Sequence, residues 1–392
     1  MRKGWQTKTL GDVCDVMNGG TPKTGVPEYW DGNHRWITPA EMGKRLSPYV
    51  SDTERKITDL GLRDSSARIL PPNSVILSSR APIGHLVINT EPMGTNQGCK
   101  GLIPRSQIEH KFLYYYLSSI VDLLNSLGTG ATFKELSGGK LKEVTVPVPP
   151  LAEQQRIVGL LDEAFEVLAT AKANAEKNLQ NARALFESHL QSVFTQRGPG
   201  WVEKRFDEVC AITSTLVDPR KEEFLDLTHV GAGNIESKTG VFVDLKTARE
   251  EGLISGKFLF DESMVLYSKI RPYLMKVARP DFEGLCSADM YPLSPVKNVI
   301  TRDYLFHLLL SKHFTDYAIQ GSARAGMPKV NRDHLFEYRV WLPDVKKQKQ
   351  LAANLDDLHE ETQRLARLYE RKLAALEALK KSLLHQAFTG AL

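Results

Sequence analysis

The two halves of this 392-residue chain carry the same sequence pattern, and this duplication limits the fold more than any other feature. Residues 4–14 match residues 200–210 at Gly, Trp, Lys, Val and Cys, at an offset of about 196 residues, which is half the chain. Three further pairs of segments match in the same order: 70–77 with 259–266, 112–114 with 304–306, and 149–195 with 343–389. The sequence therefore predicts two similar domains related by an internal repeat.

Each copy begins with a mixed region and ends with a long helical pattern. In the first copy, strand-like runs at 74–78, 85–88 and 144–148 alternate with turns and with a helical segment at 111–124. After Pro149-Pro150, a helical pattern continues to Thr195, and the glycines and proline of 198–200 end it. We therefore expect an α/β (α+β) fold with two mixed α/β globular domains, each followed by one long helix.

Both long helices show apolar residues at alternating spacings of four and three, the pattern of a coiled-coil seam. In the first helix the seam residues are Ile157, Leu161, Ala164, Leu168, Ala171, Ala175, Ala182 and Leu185, with Asn178 as a polar exception. In the second they are Leu351, Leu355, Leu358, Leu365, Tyr369, Leu376, Leu379 and Leu383, with Thr362 and Lys372 as exceptions. The alternative for either helix is an amphipathic helix that packs on its own globular domain.

Two similar units in one chain pair most simply about a pseudo-two-fold axis, which makes helices along a common seam antiparallel. From residue 157 to residue 189 such a helix is about 48 Å long, which exceeds one turn of B-DNA. We therefore expect an antiparallel coiled coil that separates two globular domains. The expected division is 1–149, first domain; 150–198, first spacer helix; 199–342, second domain; and 343–392, second spacer helix.

The composition excludes several protein classes. Hydrophobic residues make up 42% and charged residues 25% of the chain, as in ordinary globular proteins. No apolar run approaches the roughly 18 residues that a membrane-spanning helix needs, and the polar start lacks a signal-peptide segment. The four cysteines are far apart and form no CxxC pair, so we expect no zinc site, no disulfide framework and a reducing cytoplasmic location. The net charge of +4 permits DNA binding without indicating it.

Short motifs along essentially the whole chain carry a resemblance to one known family. In the first half it is carried by Gly19-Gly20-Thr21-Pro22, Glu28-Tyr29-Trp30-Asp31-Gly32, Trp36-Ile37-Thr38-Pro39, Ser78-Ser79-Arg80-Ala81-Pro82-Ile83-Gly84, Asn96-Gln97-Gly98 and Pro149-Pro150-Leu151-Ala152-Glu153-Gln154. In the second half it is carried by Tyr267-Ser268-Lys269-Ile270-Arg271-Pro272-Tyr273-Leu274 and Cys286-Ser287-Ala288-Asp289. In this order, and with two long helices, these motifs resemble those of the specificity subunits of type I restriction-modification systems. The second copy of the Pro-Leu-x-Glu-Gln pattern differs at 344–347 but keeps Gln348.

The resemblance implies two target-recognition domains that each bind half of a split, asymmetric double-stranded DNA sequence. The helices then set the gap and dock two methyltransferase (modification) subunits, and restriction subunits join through the complex. The chain itself is expected to have no catalytic residues, metal or cofactor; S-adenosylmethionine, ATP and Mg²⁺ are expected on the partner subunits. Apolar side chains outside the seam would complete helix bundles with those partners or contact the chain's own domains: Phe165, Val167, Phe186, Val193 and Phe194.

The residues themselves agree with a non-catalytic chain. The double prolines at 71–72 and 149–150 lack the Asp/Asn-Pro-Pro-aromatic context of an adenine methyltransferase. Gly138-Gly139-Lys140-Leu141 lacks the earlier Gly and the following Ser/Thr of a phosphate-binding loop. Two alternatives stay open: a single-chain restriction enzyme with an unfamiliar catalytic centre, and a coiled-coil scaffold with negligible DNA affinity.

DNA recognition requires side chains that bond to base edges and cations or hydroxyls that contact phosphates. In the first domain the candidates are Thr21, Lys23, Ser79, Arg80, Asn96, Gln97, Lys100 and Lys134. In the second they are Lys269, Arg271, Lys276, Ser287, Asp289, Arg324 and Lys329. Ser287 and Asp289 lie in a turn that matches Asn96 and Gly98. For each of these residues, a solvated surface group or loop cap is the alternative.

Overall fold

The structure is a computed structural model that describes residues 4–130, 134–322 and 327–392. The chain divides into two compact units. The first unit extends to Asn174 and includes Lys372–Leu392, and the second unit is Ala175–Arg371. The expected division into four segments stays a prediction.

The first unit is a mixed α/β domain joined to parts of two long helices. Its strands are β1 Gln6–Thr9, β2 Cys14–Asn18, β3 Trp30–Ile37, β4 Tyr49–Val50, β5 Arg55–Ile57, β6 Ile69–Leu70, β7 Val75–Ser79, β8 Ile83–Asn89, β9 Met93–Thr95, β10 Cys99–Pro104 and β11 Thr145–Val148. Its helices are α1 Leu10–Val13, α2 Pro39–Met42, α3 Asp59–Arg63, α4 His110–Ser119, α5 Val121–Leu127, α6 Gly138–Glu143 and the first part of α7, Leu151–Thr195.

The strands of the first unit form a main sheet in the order β2-β10-β7-β8-β4 and a second sheet in the order β5-β3-β9-β6, while β1 pairs with β11. Side chains alternate across β7: Val75 and Leu77 join the core that contains α4 and the start of α7, and Ile76 joins the core on the other face. Both faces of the main sheet are therefore buried, and the loops at its strand ends remain as surface.

The single helix expected over 111–124 is wrong in detail, because α4 ends at Ser119 and α5 begins at Val121. The hydroxyls of Ser118 and Ser119 donate to the carbonyls of Tyr114 and Tyr116. Such local hydrogen bonds compete with the helical ladder and accompany the break at this point.

The second unit repeats this plan with shorter strands. Its strands are β12 Val202–Arg205, β13 Cys210–Ala211, β14 Leu216–Val217, β15 Thr228–Val230, β16 Lys246–Thr247, β17 Lys257–Phe260, β18 Val265–Ser268, β19 Val277–Ala278, β20 Gly284–Cys286, β21 Met290–Pro295 and β22 Arg339–Leu342. Its helices are α8 Glu222–Leu225, α9 Ala248–Glu251, α10 Arg302–Leu310, α11 Lys312–Gln320, α12 Arg332–Glu337 and part of α13, Val345–Thr389.

The sheet order β13-β21-β18-β19 in the second unit repeats β2-β10-β7-β8 in the first, and β12 pairs with β22 as β1 pairs with β11. A further sheet has the order β14-β17-β20-β15-β16. The predicted fold class is therefore confirmed: two similar mixed α/β domains are each followed by a long helix.

Within each unit the parts of α7 and α13 lie antiparallel. In the first unit, Arg156 donates to the carbonyl of Leu392 at 3.1 Å, and Lys172 lies 3.9 Å from Glu377. In the second unit, Arg183 lies 2.7 Å from Glu370, and three residues further along α7 the ring of Phe186 packs on His359. Residue numbers rise along one helix as they fall along the other, so the antiparallel pairing is confirmed inside each unit.

The buried face of α7 follows the predicted seam only as far as Ala182. Beyond it, Phe186, Leu190 and Val193 are buried, whereas Leu185 is 52% exposed. Leu379 in α13 is 47% exposed. The seam assignments of Leu185 and Leu379 were wrong, because a helix with 3.6 residues per turn drifts away from a strict 3.5-residue repeat.

The other predicted seam residues are buried or partly buried: Ile157, Leu161, Ala164, Leu168, Ala171, Ala175, Ala182, Leu351, Leu355, Leu358, Leu365, Tyr369, Leu376 and Leu383. The polar exception Thr362 is buried too, whereas Asn178 and Lys372 are exposed. Of the five apolar side chains that the sequence placed outside the seam, four contact the core of their own unit: Phe165, Phe186, Val193 and Phe194. Val167 alone of the five is exposed, at 64%.

A pair of neighbouring substitutions tests this face of α7. Phe186→Ala should lower the free energy of unfolding by about 3 kcal/mol, since it leaves a cavity against His359 and the core. Leu185→Ala, the matched control on the exposed side, should change it by about 0.5 kcal/mol or less. Urea unfolding followed by far-UV circular dichroism measures both; equal losses would contradict the observed face.

Candidate nucleic-acid interface

The loops at one end of the main sheet of the first unit bring several predicted residues together. Asn96 follows β9, and its side-chain amide donates to the Thr21 hydroxyl at 3.0 Å. The Asn96 Oδ1 atom accepts from the Gly98 amide at 2.8 Å and closes the turn before β10. A Cβ atom at Gly98 would lie 3.1 Å from the Cγ and Nε atoms of Arg80. The Arg80 side chain therefore lies directly against this turn.

An ion cluster joins Arg80 to residues on two other segments. The Arg80 guanidinium lies 3.5 Å from the carboxylate of Glu135, and the Lys100 ammonium lies 3.8 Å from the same carboxylate. Lys100 is almost fully buried on β10, whereas Arg80 and Glu135 are partly exposed. A buried cation needs a nearby anion, so Glu135 compensates the charge of Lys100. We call this surface, Thr21, Arg80, Asn96, Gln97, Lys100 and Glu135, the Arg80 cluster.

Three predicted residues of the first domain lie outside the cluster or beneath it. Ser79 is fully buried, and its hydroxyl has no hydrogen-bond partner in the described part of the chain. Its side chain does not reach the surface, so we remove it from the candidate contacts. Lys23 and Lys134 are exposed, and they lie two residues after Thr21 and one residue before Glu135 in the sequence. Sequence reasoning missed Glu135, although its position next to Lys134 in a loop was a usable signal.

In the second unit the corresponding loops bring together Lys269, Asp289 and Lys329. The Lys269 amide donates to the Asp289 carbonyl at 3.0 Å, and the Asp289 amide donates to the Ser287 hydroxyl at 3.2 Å. Ile270 forms an antiparallel bridge with Lys329, and the Arg271 amide donates to the Pro328 carbonyl at 2.9 Å.

The charges here are mostly positive. Burial and the nearby charge of Lys329 lower the pKa of Lys269, and the charge of Arg332 acts in the same direction. The Lys269 ammonium donates to the Ala288 carbonyl and lies 5.2 Å from the ring centre of Tyr291. Sequence reasoning missed Arg332 because it lies at the start of α12, outside the loop motifs. We call Lys269, Arg271, Ser287, Asp289, Lys329 and Arg332 the Lys269 cluster.

Two further residues were predicted to bind DNA in the second domain, Lys276 and Arg324. Lys276 is partly buried and donates to the carbonyl of Ala232 at 2.5 Å, so its ammonium already holds a neighbouring loop. Arg324 lies outside the described residues.

The two clusters are built on the same backbone frame. The amide of Leu136 donates to the Ser79 carbonyl at 2.9 Å, as the amide of Val330 donates to the Lys269 carbonyl at 2.8 Å. The bridge between Arg80 and Glu135 corresponds to that between Ile270 and Lys329. Ala81 and Arg271, which follow in this frame, have φ angles of 53° and 50°.

The frame therefore places different side chains at equivalent positions. Arg80 corresponds to Ile270, Ala81 to Arg271 and Glu135 to Lys329. Guanidinium, ammonium, amide and carboxylate groups can all bond to base edges or phosphates. The two surfaces therefore share one backbone frame but carry different donors and acceptors.

The described ranges contain neither a metal-ligand group nor a membrane-spanning helix. No group of three or more His, Cys, Asp or Glu side chains there is arranged to hold a metal ion. None of the described helices combines the length and apolarity that a membrane span needs. Cys14, Cys99, Cys210 and Cys286 are free and buried.

Comparison with known proteins gives one family. A model of the type I restriction modification DNA specificity domain matches residues 2–179 and 199–371. The specificity subunit of the type I restriction enzyme EcoDI from Escherichia coli is 29% identical, over 99% of this chain and 88% of that protein. The specificity subunit of the type I restriction enzyme MjaIX from Methanocaldococcus jannaschii is 31% identical over 240 residues; the match spans 57% of this chain and 56% of that protein.

Two solved structures have a similar fold. A chain from "Structural basis underlying complex assembly and conformational transition of the type I R-M system" has a TM-score of 0.76 and 18% identity, and the match covers 100% of this chain and 99% of that chain. The HsdS subunit from Thermoanaerobacter tengcongensis has a TM-score of 0.63 and 19% identity, with 100% and 98% covered. At these identities the likeness concerns the fold alone.

Proposed function

The chain belongs to the family of type I restriction-modification DNA specificity subunits, and we propose that it recognises an asymmetric DNA target in two parts, one per domain. It is a DNA-recognition subunit, not an enzyme. In the proposed complex it positions methyltransferase subunits for adenine methylation and, through them, restriction subunits for cleavage.

The observation that carries this proposal is the repeated frame with different side chains. Arg80 and Glu135 occupy one surface, while Ile270 and Lys329 occupy the equivalent positions of the other. A symmetric pair of surfaces would favour a palindromic target, because equal side chains bind equal half-sites. Unequal side chains on one frame favour a target with two unlike halves.

The long helices offer surfaces for two methyltransferase subunits. Several apolar side chains on α7 and α13 stay exposed and unpaired with the chain's own cores: Leu160, Val167, Leu185, Leu368 and Leu379. Exposed apolar residues on a helix are typical of protein–protein contacts. We propose that partner helices cover them, and that the spacer helices set the distance between the two half-sites.

The cofactors of methylation and cleavage belong to the partners in this proposal. S-adenosylmethionine would bind the methyltransferase subunits, and ATP and Mg²⁺ would bind the restriction subunits. The four cysteines are buried and form no disulfide with one another, and the cytoplasmic location stays part of this proposal.

The test is to reconstitute the chain with the methyltransferase subunit of the same restriction-modification system, add S-adenosylmethionine, and map modified adenines across random-sequence DNA. We expect a split, non-palindromic motif with a fixed gap. The chain alone, given the same cofactors with ATP and Mg²⁺, should neither methylate nor cut DNA. Methylation or cleavage by the chain alone would favour a single-chain enzyme, and a complex without DNA affinity would favour a scaffold.

DNA binding by the complex should weaken steeply with salt. Apart from the buried Lys100, the cations in the two clusters or within two residues of a cluster member in the sequence are Lys23, Arg80, Lys134, Lys269, Arg271, Lys329 and Arg332. If about six of them contact phosphates, affinity should fall about a thousandfold between 50 and 200 mM salt. Fluorescence anisotropy with a labelled duplex measures this dependence. A slope near zero would show that these cations do not contact the phosphate backbone.

A further inference from the structure

Glu135 is an acidic side chain in a surface that is otherwise made of cations, hydroxyls and amides. Its carboxylate is 40% exposed and lies near the Arg80 guanidinium and the Lys100 ammonium. A carboxylate repels DNA phosphates and weakens the electrostatic part of DNA affinity. Its position at this surface therefore needs an explanation other than affinity.

The second unit shows that the backbone frame does not require an acid here. Lys329 occupies the position of Glu135, since it bridges Ile270 as Glu135 bridges Arg80, and the next residue in each case donates to an equivalent carbonyl. One position of the repeat thus carries a group that only accepts hydrogen bonds in one unit and a group that only donates them in the other.

Donors and acceptors are what distinguish base pairs in the major groove. A Glu or Asp carboxylate accepts from the N4 amino group of cytosine, whereas Lys donates to the O6 and N7 atoms of guanine. Residues that face phosphates do not gain from such a reversal, because every phosphate is an acceptor. An acceptor at 135 in one unit and a donor at the equivalent position 329 in the other is the pattern expected of a position that contacts bases.

We propose that Glu135 is a specificity-determining residue of the first domain, and that it accepts a hydrogen bond from a base amino group, cytosine N4 in the first instance. Lys100 is a positioning residue in this arrangement, and Arg80 positions the carboxylate in addition to its own contact with DNA. Both cations hold the carboxylate in place and offset its repulsion of the phosphates. Lys329 is the equivalent residue of the second domain and selects guanine. The inference rests on the proposed function.

The test is to map modified adenines made by the complex that contains Glu135→Gln. A glutamine amide both donates and accepts, so preference for cytosine at one position of the first half-site should fall about tenfold or more. The second half-site should stay unchanged. Lys329→Gln should relax one position of the second half-site only. Glu91→Gln, which removes an exposed carboxylate from the turn between β8 and β9, is the charge-matched control and should leave the motif intact.

A second measurement separates base contact from a structural role. Glu135→Gln should raise affinity for random-sequence duplex, since one phosphate-repelling charge is lost from the DNA-binding surface, and Glu91→Gln should not. A structural role would instead reduce protein stability without changing base preference. Because loss of Glu135 leaves Lys100 buried without its anion, Lys100→Met combined with Glu135→Gln keeps the test valid if the single variant fails to fold.

Failure of this inference can be distinguished from failure of the proposed function. If the wild-type complex yields no split motif, the proposed function fails. Suppose instead that the wild-type complex yields a split motif. If the Glu135→Gln variant, alone or combined with Lys100→Met, then yields the same motif with the same discrimination, Glu135 does not contact a base and the inference is overturned.

Discussion

The complex with Arg80→Gln should lose discrimination at the first half-site by about tenfold to a hundredfold while keeping that at the second. Arg80 lies against the Gly98 turn, partly exposed, beside Asn96 and Glu135. Its guanidinium is the side chain of this cluster with the geometry for a bidentate bond to a guanine edge or a phosphate. Glutamine is shorter than arginine but stays polar, and it removes the charge and the fork of donors.

The reciprocal result is expected for the second unit. Arg271 is exposed and corresponds in the repeat to Ala81, so its side chain occupies a position that the first domain leaves small. Arg271→Gln should weaken discrimination at the second half-site by a similar factor and leave the first unchanged.

Competition binding with duplexes mutated in one half-site measures both effects. Arg63→Gln is the control for the first unit, because Arg63 is an exposed cation paired with Asp64 at 3.0 Å, outside the Arg80 cluster. If Arg80→Gln and Arg271→Gln both behave like this control, the assignment of the two clusters as DNA-binding surfaces is wrong. If either variant affects both half-sites equally, the two domains do not act separately.

Gln154→Leu should destabilise the first unit by about 3 kcal/mol or more, because it removes three hydrogen bonds to backbone groups. The buried Gln154 side chain accepts from the Glu109 amide at 2.8 Å and donates to the carbonyls of Gln107 and Pro149 at 2.9 and 2.8 Å. It thereby fixes the start of α7 to the loop before α4. Leucine fits the volume but leaves the backbone groups without partners.

Gln348 does the same in the second unit. Its side chain accepts from the Thr301 amide at 2.9 Å and donates to the carbonyls of Val299 and Pro343 at 2.8 and 2.9 Å. Gln348→Leu should therefore destabilise the second unit by a similar amount.

Hydrogen exchange of the full chain measures each unit separately. We expect Gln154→Leu to reduce amide protection in 4–174 and 372–392, and Gln348→Leu to reduce it in 175–371. The exposed neighbours provide matched controls, Gln155→Leu and Gln350→Leu, and these should change protection little. Uniform loss over the whole chain from either buried variant would mean that the two units unfold as one.

The sequence alone predicted the repeated plan, the strand-like runs at 74–78, 85–88 and 144–148, and the two long helices. Strand alternation, helical periodicity and proline or glycine boundaries are local patterns, and they survive in both copies. The match of Asn96 and Gly98 with Ser287 and Asp289 also came from the sequence, because turn residues keep their spacing in a repeat. The order of the segments was enough to indicate the family.

The tertiary structure decided which distant residues meet. Glu135 reaches Arg80 and Lys100 only because a loop after α5 lies beside β7 and β10. Ser79 and Lys100 are buried because of the sheet around them. No local sequence pattern distinguishes either residue from an exposed one.

The same holds for the long helices. Phe186 rather than Leu185 faces the core, because small deviations of helical twist accumulate over many residues and packing chooses the face. Gln154 and Gln348 are identical residues at equivalent positions of the repeat. Their hydrogen bonds to the preceding domain, however, depend on chain segments more than forty residues away. Local periodicity thus determined the elements of this protein, whereas long-range packing determined the residues at its surfaces, because those contacts depend on how whole elements are placed.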